Sequence, residues 1–102
     1  MEKEKVIFRR EYNPYRKEWS FLAVFPDETD WRGLISCVPF YFIDEWDGTQ
    51  TTIFECSCDM DRPYYYNKTR IIHKKDAVVD KLLSAIEKRY NQQFRVVEKI
   101  MY

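Results

Sequence analysis

The residues best suited to chemistry are three cysteines and a single histidine. Cys56 and Cys58 lie one residue apart in the segment FECSCDM, and Cys37 and His73 complete the set of soft ligands. Structural zinc sites usually take ligands in pairs spaced at a turn, where the chain can wrap around the metal. Here the two thiols alternate with polar residues as in a β-strand, which would point both toward one face. We therefore interpret Cys56 and Cys58 as small core residues, with no metal bound.

Nucleophilic catalysis and nucleotide binding receive little support. His73 lies beside Lys74 and Lys75 before a predicted helix, and we interpret it as a solvent-exposed residue of a basic turn. Only two glycines are present, which excludes glycine-rich phosphate loops and dinucleotide-binding fingerprints. The sequence therefore predicts a protein that is not an enzyme, with no catalytic residues and no cofactor.

Length and composition indicate one globular domain spanning residues 1–102. The chain is 45% hydrophobic and 33% charged, which is typical of a folded rather than a disordered domain. No apolar run approaches the roughly 20 residues that a membrane span needs. The N-terminal segment MEKEKVIFRR lacks the apolar stretch of a signal peptide. These features, with an odd number of cysteines, predict a cytoplasmic protein with reduced thiols and no membrane association.

Alternating apolar and polar residues predict β-strands over the first two thirds of the chain. Pro39 removes one backbone donor from the third strand, which predicts a bulge or an edge position there. In the fourth strand, one face would carry a set of apolar or small side chains: Phe54, Cys56, Cys58 and Met60. The predicted strands are Val6–Tyr12, Trp19–Phe25, Leu34–Ile43, Thr51–Met60 and Tyr64–Ile72.

The period then changes to that of a helix. Apolar residues recur three and four positions apart between Val79 and Tyr90, and Asp76 is a predicted N-cap or first-turn acid. Alternation returns in Phe94–Tyr102, which predicts a final strand. The order β-β-β-β-(β)-α-β with short connections predicts an α+β domain, in which five to six antiparallel strands carry one amphipathic helix on one face.

Charge is balanced over the whole chain but not along it. Residues 21–62 carry two arginines and nine acids, a net charge of −7, whereas residues 63–102 carry nine bases and four acids, a net charge of +5. This asymmetry indicates either separate acidic and basic faces or two sets of side chains that pair across the sheet.

Aromatic residues, 18% of the chain, are the strongest indication of function. Trp31 and Trp46 each lie in an acidic loop, and tryptophan beside charged groups is typical of a protein-binding hot spot. Alternatively, the aromatic residues at strand ends cover the open ends of the sheet. Acids in turns could also hold a divalent cation, but their spacing is not that of a calcium loop. The predicted surface, for a basic protein partner or a second copy of the chain, comprises Trp31, Trp46, Asp27, Glu28, Asp30, Asp44, Glu45 and Asp47.

A small nucleic-acid-binding module is the alternative function. The basic last third of the chain could contact phosphates while neighbouring tyrosines stack on bases. The zero net charge and the isoelectric point near 6.6 argue against it, since such modules usually carry a basic excess. The residues that would bind are Lys74, Lys75, Lys81, Lys88 and Arg89.

The two ends of the chain resemble a group of small uncharacterised bacterial proteins carried by phages and conjugative elements. The resemblance lies in VIFR at Val6–Arg9, in FLAVFP at Phe21–Pro26, and in a closing helix followed by the strand FRVVEK. It implies a compact α+β accessory protein and supplies no catalytic residues. Inhibitors and immunity proteins of mobile elements act by binding another protein, which is the function that we expect by analogy.

Overall fold

The computed structural model describes residues 3–100, which form seven β-strands and two α-helices. The strands are β1 (Glu4–Asn13), β2 (Glu18–Thr29), β3 (Ile35–Asp44), β4 (Gln50–Phe54), β5 (Cys58–Met60), β6 (Thr69–Ile71) and β7 (Phe94–Val96). The helices are α1 (Arg62–Lys68), between β5 and β6, and α2 (Val78–Tyr90), between β6 and β7. The predicted α+β class is confirmed, but the fold has one helix more than predicted.

All strands belong to one sheet. Its order is β4-β3-β2-β1-β6, with β5 also beside β3 and β7 also beside β1. Every pair is antiparallel except β1 and β7, which run in parallel with Glu4 opposite Phe94. Helix α2 returns the chain to the end of the sheet where β1 begins, so β7 enters in the same direction as β1. The prediction of a purely antiparallel sheet is therefore wrong at this one pair.

Both faces of the sheet are buried. On the first, the α2 face, helix α2 covers side chains of the central strands, with Phe8 and Phe40 fully buried. On the second, the α1 face, the buried ring of Tyr65 from α1 packs over Ile7 and Leu22. This two-sided burial explains why the central strands read as nearly continuous apolar runs. In the part of the chain that the structure describes, no helix has the length and apolar character needed to cross a membrane.

The tyrosine run after Pro63 forms helix α1, where the alternation predicted a strand over Tyr64–Ile72. Asp61 is the N-cap, and its side chain accepts a hydrogen bond from Tyr64 N at 2.8 Å. Pro63 occupies the first turn, where its missing N–H costs nothing. The capping acid and the proline override the strand preference of the tyrosines, and only β6 remains of the predicted strand.

Pro39 explains why the predicted strand Thr51–Met60 is interrupted. The carbonyl of Pro39 accepts a hydrogen bond from Glu55 N at 2.9 Å. Pro39 therefore turns its backbone toward this edge of β3, where it has no N–H to donate. Residues 55–57, which face this position, belong to no strand and separate β4 from β5. The disruption predicted at Pro39 thus occurs in the neighbouring edge strand rather than as a bulge within β3.

The prediction that Cys56 and Cys58 share a buried face is wrong. Both are exposed, whereas Cys37 is fully buried. The gap between β4 and β5 ends the alternation, so Phe54 packs on the α2 face while Met60 packs on the α1 face.

Helix α2 includes the whole predicted stretch Val79–Tyr90, whereas the last strand is shorter than predicted. The N-cap of α2 is Ala77 rather than the predicted Asp76, and Asp80 is the acid of the first turn. Asp76 lies one residue before the N-cap, where its side chain accepts a hydrogen bond from Val78 N at 3.0 Å. The predicted final strand Phe94–Tyr102 is a strand only over β7, and its last two residues lie outside the described part of the chain.

Candidate interaction surfaces

Trp46 lies in the β3–β4 loop (residues 45–49) and is 97% exposed. Backbone hydrogen bonds close this loop, from Glu45 N to Thr49 O at 2.7 Å and from Gly48 N to Glu45 O at 3.1 Å. Gly48 has a φ of +87°, which residues with side chains rarely adopt. Trp46 is therefore presented to solvent on a turn with a defined backbone.

The acids of the β3–β4 loop hold it together through their side chains. Asp47 accepts hydrogen bonds from Thr49 N at 3.0 Å and from Thr49 Oγ1 at 2.6 Å. The hydroxyl bond lowers the pKa of Asp47, so its carboxylate stays charged. Residues 44–50, which form the loop and its flanks, include three acids and no base. The other two acids bond in the same way, Asp44 to Gln50 at 2.7 Å and Glu45 to Thr51 at 2.8 Å.

Trp31 lies in the β2–β3 loop (residues 30–34) and is 92% exposed. Asp30 organises this loop by accepting hydrogen bonds from Arg32 N at 2.8 Å and from Leu34 N at 3.0 Å. The guanidinium of Arg32 pairs with Asp30 at 2.8 Å and lies 5.9 Å from the centre of the Trp31 ring. Because Arg32 offsets part of the negative charge, this loop is less acidic than the β3–β4 loop.

The two tryptophan loops leave opposite ends of the sheet, since one precedes and the other follows β3. A strand of ten residues is about 33 Å long. The structure therefore does not bring the two tryptophans onto one surface. The predicted residues divide into two groups: Asp27, Glu28, Asp30 and Trp31 at one end, and Asp44, Glu45, Trp46 and Asp47 at the other.

The end that carries Trp46 also carries the turn between β1 and β2, because alternate turns of an antiparallel sheet leave the same end. The two turns are two strand spacings apart, about 10 Å. In the β1–β2 turn, Tyr15 is 96% exposed, while the rings of Tyr12 and Trp19 pack against each other with centres 5.6 Å apart. We call these four residues, Tyr12, Tyr15, Trp19 and Trp46, the aromatic end.

The four residues of the aromatic end differ in exposure. Tyr12 and Trp19 are half-exposed and cover each other, as a lid on the sheet would. Tyr15 and Trp46 remain almost fully in solvent, so neither covers the core. Sequence composition identifies the loops that are rich in aromatic residues. In an antiparallel sheet every second turn lies at the same end, and this rule could have placed the β1–β2 turn beside the β3–β4 loop.

The five predicted basic residues do not form one surface. Lys81 lies over the ring of Phe42 at 4.2 Å and Arg89 over that of Phe54 at 5.0 Å, so both cover partly buried rings of the α2 face. Lys88 lies beside them, at the grooves between α2 and β4. Lys74 lies elsewhere, before α2, and exposed Lys75 follows it in the chain.

Lys74 lines a groove of about 450 Å³ along β7. Lys5, Arg95 and Lys99 line the same groove, and Glu98 is the one acid among the described residues that line it. Glu98 Oε2 lies 2.9 Å from His73 Nδ1. Sequence analysis missed Lys5, Arg95 and Lys99 because the parallel pairing of β1 with β7 brings them together from distant parts of the chain.

Among residues 3–100, no ion pair joins a base of the last third to an acid of residues 21–62. Arg32 pairs within the acidic segment, with Asp30 and at 3.8 Å with Asp59. The alternative that the two segments pair across the sheet is therefore not supported by these contacts.

A cleft of about 340 Å³ lies between α1, the end of β1 and β5. Tyr64 donates a hydrogen bond from its hydroxyl to Glu11 Oε2 at 2.5 Å across this cleft. The bond to a carboxylate, with partial burial, raises the pKa of Tyr64 from 10.0 to about 12. Cys58, Asp59 and Asp61 also line the cleft, so its walls carry three carboxylates and one exposed thiol.

Replacing Tyr64 by phenylalanine tests the bond across the cleft through pH. The folded protein keeps the Tyr64 proton up to about pH 12, whereas the unfolded chain loses it near pH 10. We expect wild type to be more stable than Tyr64→Phe below pH 10, and this advantage to shrink as the pH rises from 10 to 12. Urea denaturation across this range measures the difference, and a difference independent of pH would contradict the bond.

The described residues contain no group of three or more histidine, cysteine or acidic side chains placed to hold a metal ion. No family model matches the chain, and searches of curated proteins and of solved structures gave no match. The resemblance to proteins of phages and conjugative elements therefore stays a prediction.

Proposed function

We propose that this chain is a small cytoplasmic interaction protein that binds a protein partner through the aromatic end, without catalysing a reaction. The observation that carries the proposal is Trp46, which is 97% exposed on a loop closed by hydrogen bonds. An indole held in water has no role in the core, but it can bury a large apolar area against a partner.

The ordered backbone of the β3–β4 loop also supports binding of a partner at the aromatic end. Binding costs less free energy when the contacting loop is already ordered, because fewer conformations are lost in the complex. The bonds of Asp47 and Glu45 order the β3–β4 loop before any partner arrives. Tyr15 and Trp19, about 10 Å away, extend the contact area on the same end of the sheet.

Charge indicates the chemistry of the partner. The β3–β4 loop and its flanks carry three carboxylates around Trp46 and no base. A partner with a basic rim around an apolar pocket would complement this loop, with the charges increasing the rate of association. On the resemblance of VIFR and FLAVFP, we further propose that the protein is an inhibitor or accessory factor of a bacterial phage or mobile element.

Photo-crosslinking tests the proposal in extracts of the host cell. Benzoylphenylalanine replaces Tyr15 at the aromatic end in one variant and Trp31 at the opposite end in a matched variant, since both sites are exposed. We expect a discrete protein adduct from position 15 and none from position 31. Adducts from position 31 alone, or from neither position, would contradict the proposal.

The basic groove supports the alternative function. Lys5, Lys74, Arg95 and Lys99 line it together, which is the clustering that phosphate binding requires. If this groove binds nucleic acid, a gel shift at low salt should show binding that weakens with added salt and that Lys74→Glu abolishes. Lys81→Glu, whose side chain covers Phe42 on the other side of the molecule, is the control. A flat titration at low salt would exclude this function.

A further inference from the structure

Cys37 and Cys58 face each other directly across β3 and β5. They are partners in the antiparallel register, and their Sγ atoms lie 3.2 Å apart. A disulfide needs about 2.05 Å between sulfurs and β-carbons about 4 Å apart, so an opposed cross-strand pair is close to bonding geometry. Cys56, two residues before the start of β5, does not share this register.

The two thiols differ in access. Cys58 is exposed and lines the cleft beside Glu11 and Tyr64, whereas Cys37 is fully buried behind it. Burial, together with the contact with Cys58, raises the pKa of the Cys37 thiol, which therefore stays protonated at neutral pH. An oxidant can meet Cys58 first, and Cys37 is already in place to react second.

We propose that Cys37 and Cys58 form a thiol–disulfide exchange site, which low-molecular-weight disulfides oxidise to an intramolecular disulfide that joins β5 to β3. The carboxylates of Glu11, Asp59 and Asp61 around Cys58 favour a cationic disulfide such as cystamine. This inference does not depend on the aromatic end, because the cleft uses none of its residues.

The exchange takes two steps. The Cys58 thiolate attacks one sulfur of cystamine, a mixed disulfide forms on Cys58, and one cysteamine thiolate leaves and takes a proton. Cys37 then gives up its proton to water, its thiolate attacks the Cys58 sulfur of the mixed disulfide, and the second cysteamine leaves as a thiolate that takes up a proton. Two protein thiols are oxidised to one disulfide, and cystamine is reduced to two cysteamines.

The test treats the folded protein with cystamine at neutral pH, blocks the remaining thiols, and reads the products by intact mass and peptide mapping. Wild type should lose two hydrogens to an internal bond between Cys37 and Cys58. Cys56→Ser, the matched control at the neighbouring exposed thiol, should form the same bond. Cys58→Ser should form no internal disulfide.

Cys37→Ser provides a second readout, since it removes only the resolving thiol. If this variant folds, it should keep an unresolved mixed disulfide on Cys58. If it does not fold, Cys58→Ser still decides, because Cys58 is exposed and its substitution leaves the core intact. A bond from Cys56 to either other cysteine, or stable mixed disulfides on wild type without an internal bond, would overturn the proposal.

Discussion

Replacing Phe40 by alanine is expected to lower the free energy of unfolding by about 3–5 kcal/mol. Phe40 is fully buried in the centre of the α2 face. Its ring centre lies 5.3 Å from that of Phe54, with the rings stacked, and 5.9 Å from that of Phe21. The substitution removes these contacts and leaves a cavity that the surrounding strands cannot fill. Chemical denaturation followed by circular dichroism measures the change.

Trp46→Ala is the control for that experiment, because it removes a larger aromatic side chain that has almost no contact with the core. Its effect on stability should stay within about 0.5 kcal/mol. If Phe40→Ala proves too unstable to measure, Phe40→Leu should show a smaller loss in the same direction. A loss below about 1 kcal/mol for Phe40→Ala would contradict the packing described for the α2 face.

Trp46→Ala should instead show its effect in binding. Loss of a central aromatic anchor typically costs 2 kcal/mol or more, which corresponds to an affinity about 30-fold weaker. Titration calorimetry with the partner captured from position 15 measures the dissociation constant. If Trp46→Ala keeps the stability of wild type, as expected from its exposure, the weakening can be assigned to the interface.

Trp31→Ala is matched to Trp46→Ala in residue type, exposure and loop position. It lies at the opposite end of β3, so its affinity for the partner should stay within about twofold of wild type. Equal weakening by both substitutions would mean that the partner covers both ends of the sheet, contrary to the proposal. Unchanged affinity for Trp46→Ala would remove Trp46 from the interface.

The long strands and the long helix could be predicted because their side-chain periods are determined by burial. Strands β1 to β3 and helix α2 appear within a few residues of the predicted positions. The prediction of a strand at Tyr64–Tyr66 was wrong. Tyrosine favours strands, but the N-cap Asp61 and Pro63 in the first turn favour a helix. Local propensity and local capping conflicted here, and capping decided the outcome.

The arrangement of the candidate surfaces could not be predicted because it depends on contacts between distant segments. Cys37 and Cys58 are 21 residues apart in sequence and meet only through the register of β3 with β5. That register differs by one residue from the register of β3 with β4, because residues 55–57, opposite Pro39, separate β4 from β5. Lys5 and Arg95 meet through a parallel pairing that sequence alternation alone does not reveal.

Hydrogen–deuterium exchange of the complex with the captured partner locates the binding surface. If the aromatic end is the binding surface, partner-dependent protection should appear at residues 13–18 and 44–50. Residues 30–34 and the groove along β7 should exchange at the same rate with and without the partner. Protection confined to residues 30–34 or to residues 94–99, with none at 44–50, would exclude the aromatic end as the binding surface.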